Sequence, residues 1–171
     1  MIYEWHQGNY TISTDQKRLD ISEIHRFLTE ESYWAKGRSF AAVQQSLEHS
    51  LCFGLYDQTG KQVGFVRAIT DYTTFLYMAD LFVLQEHRRR GLGKWLVRTI
   101  LNHPKLKKIP VWLLRTLDAH KFYEYFGFGP PTHPETLMQF GNYAVEGLTN
   151  PPVPSCSFVT ETKTEVIEKI C

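Results

Sequence analysis

Six consecutive residues, Arg88-Arg-Arg-Gly-Leu-Gly93, combine three cations and two glycines just before an apolar-periodic segment. Glycines let the main chain turn tightly and let a ligand approach backbone N–H groups closely. A helix beginning there adds unpaired N–H donors and the positive end of its dipole. The chemistry these residues could do is therefore the holding of a phosphate or pyrophosphate. A solvated cationic turn, or a basic patch of the nuclear-localisation kind, is the plainer use of the same arginines.

Such a turn works only if it is held between a strand and a helix. Phe75 to Leu84 is an apolar run with β-branched and aromatic content, which predicts the strand. Leu92, Trp95, Leu96, Thr99 and Ile100 recur at helical spacing, and Pro104 stops that helix near His103. Upstream, the sequence predicts a strand at about residues 9 to 14 and a helix from an Asp20 or Ser22 cap to about Ser32. A second helix is expected from Ser39, carrying Val43, Leu47 and Phe40 on one side. Leu51 to Tyr56 and Val63 to Ile69 read as strands joined by a hairpin with positive φ at Gly60. Downstream, Val111 to Arg115 reads as a buried strand of the parallel type and Ala119 to Phe126 as a short helix capped by Asp118 and ended by Gly127. Leu137 to Phe140 is a candidate last strand. Trp5, Trp95 and Trp112 are expected in the core.

Length and composition bound the rest. At 171 residues and 43% hydrophobic the chain is expected to be one globular domain, and a net charge of +1 makes the arginine run a local feature, which disfavours bulk nucleic-acid binding. Three widely spaced cysteines without a C-x-x-C pair suit a reducing, cytoplasmic setting. No leader-like or membrane-spanning run is seen. The seven histidines show no ligand-spaced pair, so no metal is expected. Residues 1 to 145 are expected to form the domain, with 146 to 171 an extension of loop-like composition.

Two motifs taken together carry a resemblance. Arg88-x-x-Gly91-x-Gly93 following Asp80-Leu-Phe-Val83 resembles the acyl-CoA-binding motif of the GNAT superfamily of N-acetyltransferases, and Ala119-His-Lys-Phe-Tyr-Glu-Tyr-Phe-Gly-Phe128 is similar to its second signature. The likeness in element order spans roughly residues 9 to 141. It implies a GNAT-like α/β fold, a mixed, splayed central β-sheet flanked by helices in β-α-α-β-β-β-α-β-α-β order. It also implies acetyl-CoA as co-substrate, an amine acceptor that is a small molecule or a protein, and direct attack on the thioester in a ternary complex. The state of assembly is open to a homodimer.

By the same resemblance Arg88, Arg89, Arg90, Gly91, Leu92 and Gly93 would hold the pyrophosphate, while Leu81, Phe82 and Val83 would bond the pantetheine arm like an added strand. A backbone N–H near Leu81 or Phe82 would polarise the thioester. Tyr123 matches the family's acid near the CoA sulfur, although a cluster with Phe122, Tyr125, Phe126 and Phe128 also suits plain packing. Asp80 resembles an acidic residue that some members use as a base; it could instead satisfy a strand bulge, and Glu86 or a water chain are the alternatives. His120 is more simply a polar residue of a first turn. Tyr33, Trp34 and Arg38, between the first two helices, are the expected acceptor contacts. The family often has Gly where Arg89 stands, and Thr116 replaces an asparagine that contacts the pantetheine. A CoA- or anion-binding module without catalysis, or a nucleic-acid-binding domain using the arginine run, would keep the same turn.

Overall fold

The computed structural model describes residues 1–139. Its centre is a six-stranded sheet in sequential order: β1 (Glu4–Gln7), β2 (Tyr10–Ser13), β3 (Leu51–Tyr56), β4 (Gln62–Thr70), β5 (Phe75–Val83) and β6 (Val111–Leu113). Neighbours pair antiparallel except β5 with β6, which run parallel because a helical crossover joins them. The β3–β4 hairpin turns at Gly60, whose φ of 83° only glycine adopts freely. The mixed sheet flanked by helices is the fold class expected.

Helices cover both faces. On one face α3 (Leu92–Leu101) buries Leu92, Leu96, Val97, Thr99 and Ile100, close to the predicted stripe, and Leu92, Leu96 and Ile100 share a core with Phe53, Leu55, Val66, Leu76 and Met78. Each large aliphatic side chain so buried contributes about 1.5–3 kcal/mol. Trp5, Trp95 and Trp112 are half-buried at the margin of this cluster. On the other face α1 (Ile21–Arg26) and α2 (Phe40–Glu48) pack Ile24, Phe27, Leu28, Val43 and Leu47 on Cys52, Phe65 and Phe82. Asp20 caps α1 by accepting from the Glu23 N–H at 3.0 Å, and Ser39 caps α2 by accepting from Ala42 at 3.2 Å.

Several expectations change. The N-terminal strand is a hairpin, because Glu4–Gln7 pairs with Tyr10–Ser13; an edge strand that buries mainly Trp5 leaves little periodicity to read. The first helix widens into a π-type turn over Phe27–Glu31, with the Ser32 N–H on the Phe27 carbonyl at 3.0 Å. That turn keeps Phe27 and Leu28 both buried and stacks Phe27 on Phe82 at 4.0 Å. Phe40 is exposed, with its ring edge-on to that of His25. Asp118 does not cap α4 (His120–Glu124); the Thr116 hydroxyl accepts from the Ala119 N–H instead, at 3.0 Å. Gly127, at φ 90°, follows that helix as expected. Residues 137–139 form no strand, and Phe140 and the expected boundary at 145/146 lie outside the described residues.

His103, following α3, is fully buried among Tyr3, Phe53 and Trp5, with ring centroids 4.6, 5.5 and 5.8 Å away. Its Nδ1 accepts from the Lys105 N–H, Nε2 has no partner, and burial lowers its pKa below the ordinary value. The folded protein thus holds this ring neutral, whereas the unfolded chain protonates it near about 6.5. Stability present above that pH is lost on acidification until the lower, folded pKa is reached. The unfolding midpoint should therefore fall between pH 7 and pH 5, and His103→Asn should flatten that dependence; an unchanged slope in the variant would remove His103 as its source.

Candidate active site

The site begins where the sheet comes apart. β5 pairs with β6 only at Phe75, Leu76 and Tyr77, so beyond Tyr77 the next six residues of β5 have no strand beside them on that side among the described residues. Three residues further on, Asp80 takes φ 55° and the register on β4 slips: Arg67 faces Ala79 and Phe65 faces Phe82, leaving Asp80 and Leu81 against Val66. This is a β-bulge. It reverses the alternation of side chains, so that Leu81 and Val83 pack toward the α3 face and Phe82 toward α1.

The bulge also decides which main-chain groups face the opening. The Leu84 N–H donates to the Val63 carbonyl at 2.9 Å, and two residues earlier Phe82 pairs with Phe65 in the same phase. The groups of Phe82 are therefore turned to β4, and those of Leu81 and Val83 to the open side. The Val83 carbonyl there accepts from Arg88 Nε at 2.8 Å. The Leu81 N–H and C=O and the Val83 N–H thus lie along an edge with no strand beside it among the described residues. Phe82, expected among these contacts, sits behind the edge and is buried.

At the end of that edge lies the glycine turn. Gly91 has φ 77°, and the first helical bond of α3 is Trp95 N–H to the Gly91 carbonyl at 3.0 Å, so the amides of the preceding turn have no intrahelical acceptor. A Cβ at Gly91 would meet nothing within 4 Å, and one at Gly93 only Phe122 at 3.7 Å and Val83 at 4.0 Å. Packing thus leaves open the space where side chains at these glycines would stand, and amides without an intrahelical acceptor at a helix start suit a diphosphate. The arginines divide their work. Arg88 braces the turn to Val83 and Gln85, and Arg90 donates to the Tyr10 hydroxyl at 3.0 Å and the Glu86 carbonyl at 3.2 Å. Arg89, exposed and at φ 61°, takes no side-chain partner among the described residues. Its left-handed backbone costs about 1–2 kcal/mol in a residue with a Cβ, which is the physical sense of the glycine common at that place in the resembling family.

The loop between α1 and α2 is tied to the bulge. Asp80, buried to 3% side-chain exposure, accepts from Trp34 Nε1 at 3.1 Å on Oδ1, from Arg38 Nη1 at 3.2 Å on Oδ2, and from Arg67 Nε at 2.6 Å on Oδ2. Both oxygens are engaged by protein donors. Arg67 reaches Asp80 across the strand pair, and a lone arginine in an apolar strand gives no local signal of that partner. The same loop is latched on its far side, where the Tyr33 hydroxyl accepts from the Leu117 N–H at 2.9 Å and lies 3.5 Å from Asp118 Oδ1. Tyr33, Trp34 and Arg38 are thereby brought together with Asp80.

Tyr123, on α4, is half-buried between Phe122 and Phe128. Burial, with the Tyr33 ring and the Asp118 carboxylate nearby, pushes its pKa up to about 12, so the hydroxyl keeps its proton at neutral pH. That hydroxyl has no hydrogen-bond partner among the described residues, nor is it sealed from solvent. Thr116 spends its oxygen on the Ala119 N–H. Glu86 and His120 lie in exposed first turns. Among the described residues no group of three or more His, Cys, Asp or Glu could hold a metal ion, and no helix is long and apolar enough to cross a membrane.

Comparison with known proteins adds to this geometry. Residues 48–130 match the model of the Acetyltransferase (GNAT) domain. A protein of Gibberella zeae named a "putative acetyltransferase" is 36% identical, over 72% of this chain and 81% of its own. A crystal structure from Xanthomonas campestris, of a "putative acetyltransferase belonging to the GNAT family", is 45% identical with a TM-score of 0.76, covering 78% of this chain and 94% of that one. A Deinococcus radiodurans structure at 19% identity and a TM-score of 0.62, covering 82% and 94% of the two chains, shares the fold.

Proposed function

The chain belongs to the GNAT family of acetyltransferases, and from that premise we propose that it moves an acetyl group from acetyl-CoA to the primary amine of an acceptor by direct attack in a ternary complex. The observation that carries the reading is the run from the open edge at Leu81 and Val83 to the unfilled glycine turn, a binding track for an amide chain that ends in a diphosphate. Acetyl-CoA supplies the thioester and the thiol leaving group. The chain's own residues do the rest. Amides of residues 89–93, with Arg89, bind the diphosphate. The Val83 and Leu81 edge aligns the arm, and the Leu81 N–H points where a carbonyl oxygen needs a donor. Tyr123 gives its proton, or a hydrogen bond, to the leaving sulfur.

Asp80 is assigned to positioning: it anchors Trp34 and Arg38 against the bulge, and the acceptor's ammonium proton leaves through water. Calorimetry with acetyl-CoA at two salt concentrations, followed by an amine panel read by free thiol, tests the whole. Saturable one-to-one binding and thiol release are expected. Binding without release for any amine would make this a CoA-holding module, and steeply salt-dependent binding of nucleic acid in place of saturable acetyl-CoA binding would overturn the reading.

A further inference from the structure

The three charges at the bulge do not cancel. Two guanidiniums, Arg38 and Arg67, meet one carboxylate, Asp80, and the side chains of Arg67 and Asp80 are only 9% and 3% exposed. Cys52, close to both, supplies no counter-charge, because burial pushes its thiol up to about 12. Ser50, which accepts from Arg67 Nη1 at 3.1 Å, is neutral. The segment from Tyr33 to Leu47 adds Lys36 and no acidic residue. The buried Arg67 and Asp80 pair with each other, so the excess positive charge falls on the partly exposed Arg38, and an anion beside that guanidinium is favoured.

Arg38 is the member able to receive one. Its Nη1 is used on Asp80, whereas Nε and Nη2 have no acceptor among the described residues and 28% of its side chain is exposed. Nε and Nη2 form one edge of the planar guanidinium, spaced to hold both oxygens of a carboxylate at once. The loop carrying this edge is fixed at both ends: Trp34 on Asp80, and the Arg38 carbonyl accepting from His25 Nε2 at 3.1 Å. A bound acid would therefore meet a guanidinium already in place, with little ordering cost.

We infer that the acceptor is a small amine carrying a carboxylate, held through the Nε–Nη2 edge of Arg38, and that amines without an anionic group are poor acceptors. The inference rests on the acetyl-transfer reading and names the substrate class of the same site. A cationic peptide or polyamine would meet Arg38 and Lys36 with like charge, whereas an amino-acid-like zwitterion presents its amine beside a compensating acid.

The test is a panel in which each amino acid, α-amino and ω-amino, is paired with its primary amide and its decarboxylated amine, plus an amine bearing a phosphate monoester. With thiol release as readout, kcat/KM should favour the carboxylate over its amide by about 100-fold, because a site built for a charged group leaves donors unpaired with the neutral analogue. Arg38→Gln should shrink that preference to about threefold through the acceptor KM, with the acetyl-CoA KM unmoved, and Arg38→Lys should retain part of it. Independently of turnover, the N-acetylated carboxylate should bind the CoA complex at least about tenfold more weakly in Arg38→Gln.

Amides used as well as acids, or a preference surviving Arg38→Gln, would overturn the inference and leave acetyl transfer standing. A phosphate amine preferred over every carboxylate would overturn the choice of acid. Should acetyl-CoA bind while no amine of any kind releases thiol, acetyl transfer itself falls, and the product-binding measurement still decides whether Arg38 holds a carboxylate.

Discussion

Tyr123→Phe should lower turnover by about two to four orders of magnitude while acetyl-CoA affinity stays within about threefold. The variant removes one oxygen and keeps the ring that packs between Phe122 and Phe128, so the fold has no reason to change. The lost group is a hydroxyl without a partner among the described residues, protonated well beyond neutral pH by burial. A thiol titrates near about 8.5, so Tyr123 holds its proton more tightly than a departing thiol would. Its contribution is then weighted toward a hydrogen bond to developing charge on sulfur, with full transfer only as the reaction completes. Single-turnover and steady-state rates with an accepted amine, beside calorimetric affinity for acetyl-CoA, check this. Unchanged turnover would return Tyr123 to the aromatic packing its neighbours also suit.

The second large effect belongs to Asp80. Asp80→Asn should destabilise the protein by about 3–5 kcal/mol, because it leaves the buried Arg67 guanidinium, with Arg38 beside it, facing an amide. Asparagine isolates the charge: it tolerates the left-handed φ of 55° at this position, where alanine would add backbone strain. Adding Arg67→Met should restore part of the loss, since the orphaned cation is removed with it. Urea unfolding of the two single variants and the double variant measures that coupling. If Asp80→Asn left stability intact and instead erased turnover with a shifted pH–rate profile, Asp80 would be the base after all.

The two residues contrast in how far the sequence could place them. Tyr123 stands in a local pattern, Phe-Tyr followed by Gly-Phe at fixed spacing, and that pattern reads without knowing any long-range contact. Asp80 stands in an equally recognisable strand, yet its chemistry depends on Trp34 and Arg38, forty or more positions earlier, and on Arg67 across the sheet. Nothing local distinguishes a carboxylate open to a substrate amine from one with both oxygens already taken. The division of the arginine run is of the same kind: three exposed, like residues became two braces and one cation without a side-chain partner among the described residues only because Val83, Tyr10 and Glu86 came within reach.

By itself the sequence determined the strand–turn–helix unit, most of the buried stripe of α3, the cap at Ser39 and the hairpin at Gly60, since all of these are set by the period and conformational limits of nearby residues. Only the tertiary structure decided that β5 parts from β6 after Tyr77, that the bulge at Asp80 turns Leu81 and Val83 rather than Phe82 to the open edge, and that Asp80 anchors the loop of Trp34 and Arg38. The reason is physical. Register and ion pairing are properties of two chain segments brought together, and a one-residue slip that reverses which groups face a ligand leaves no trace in the periodicity of either.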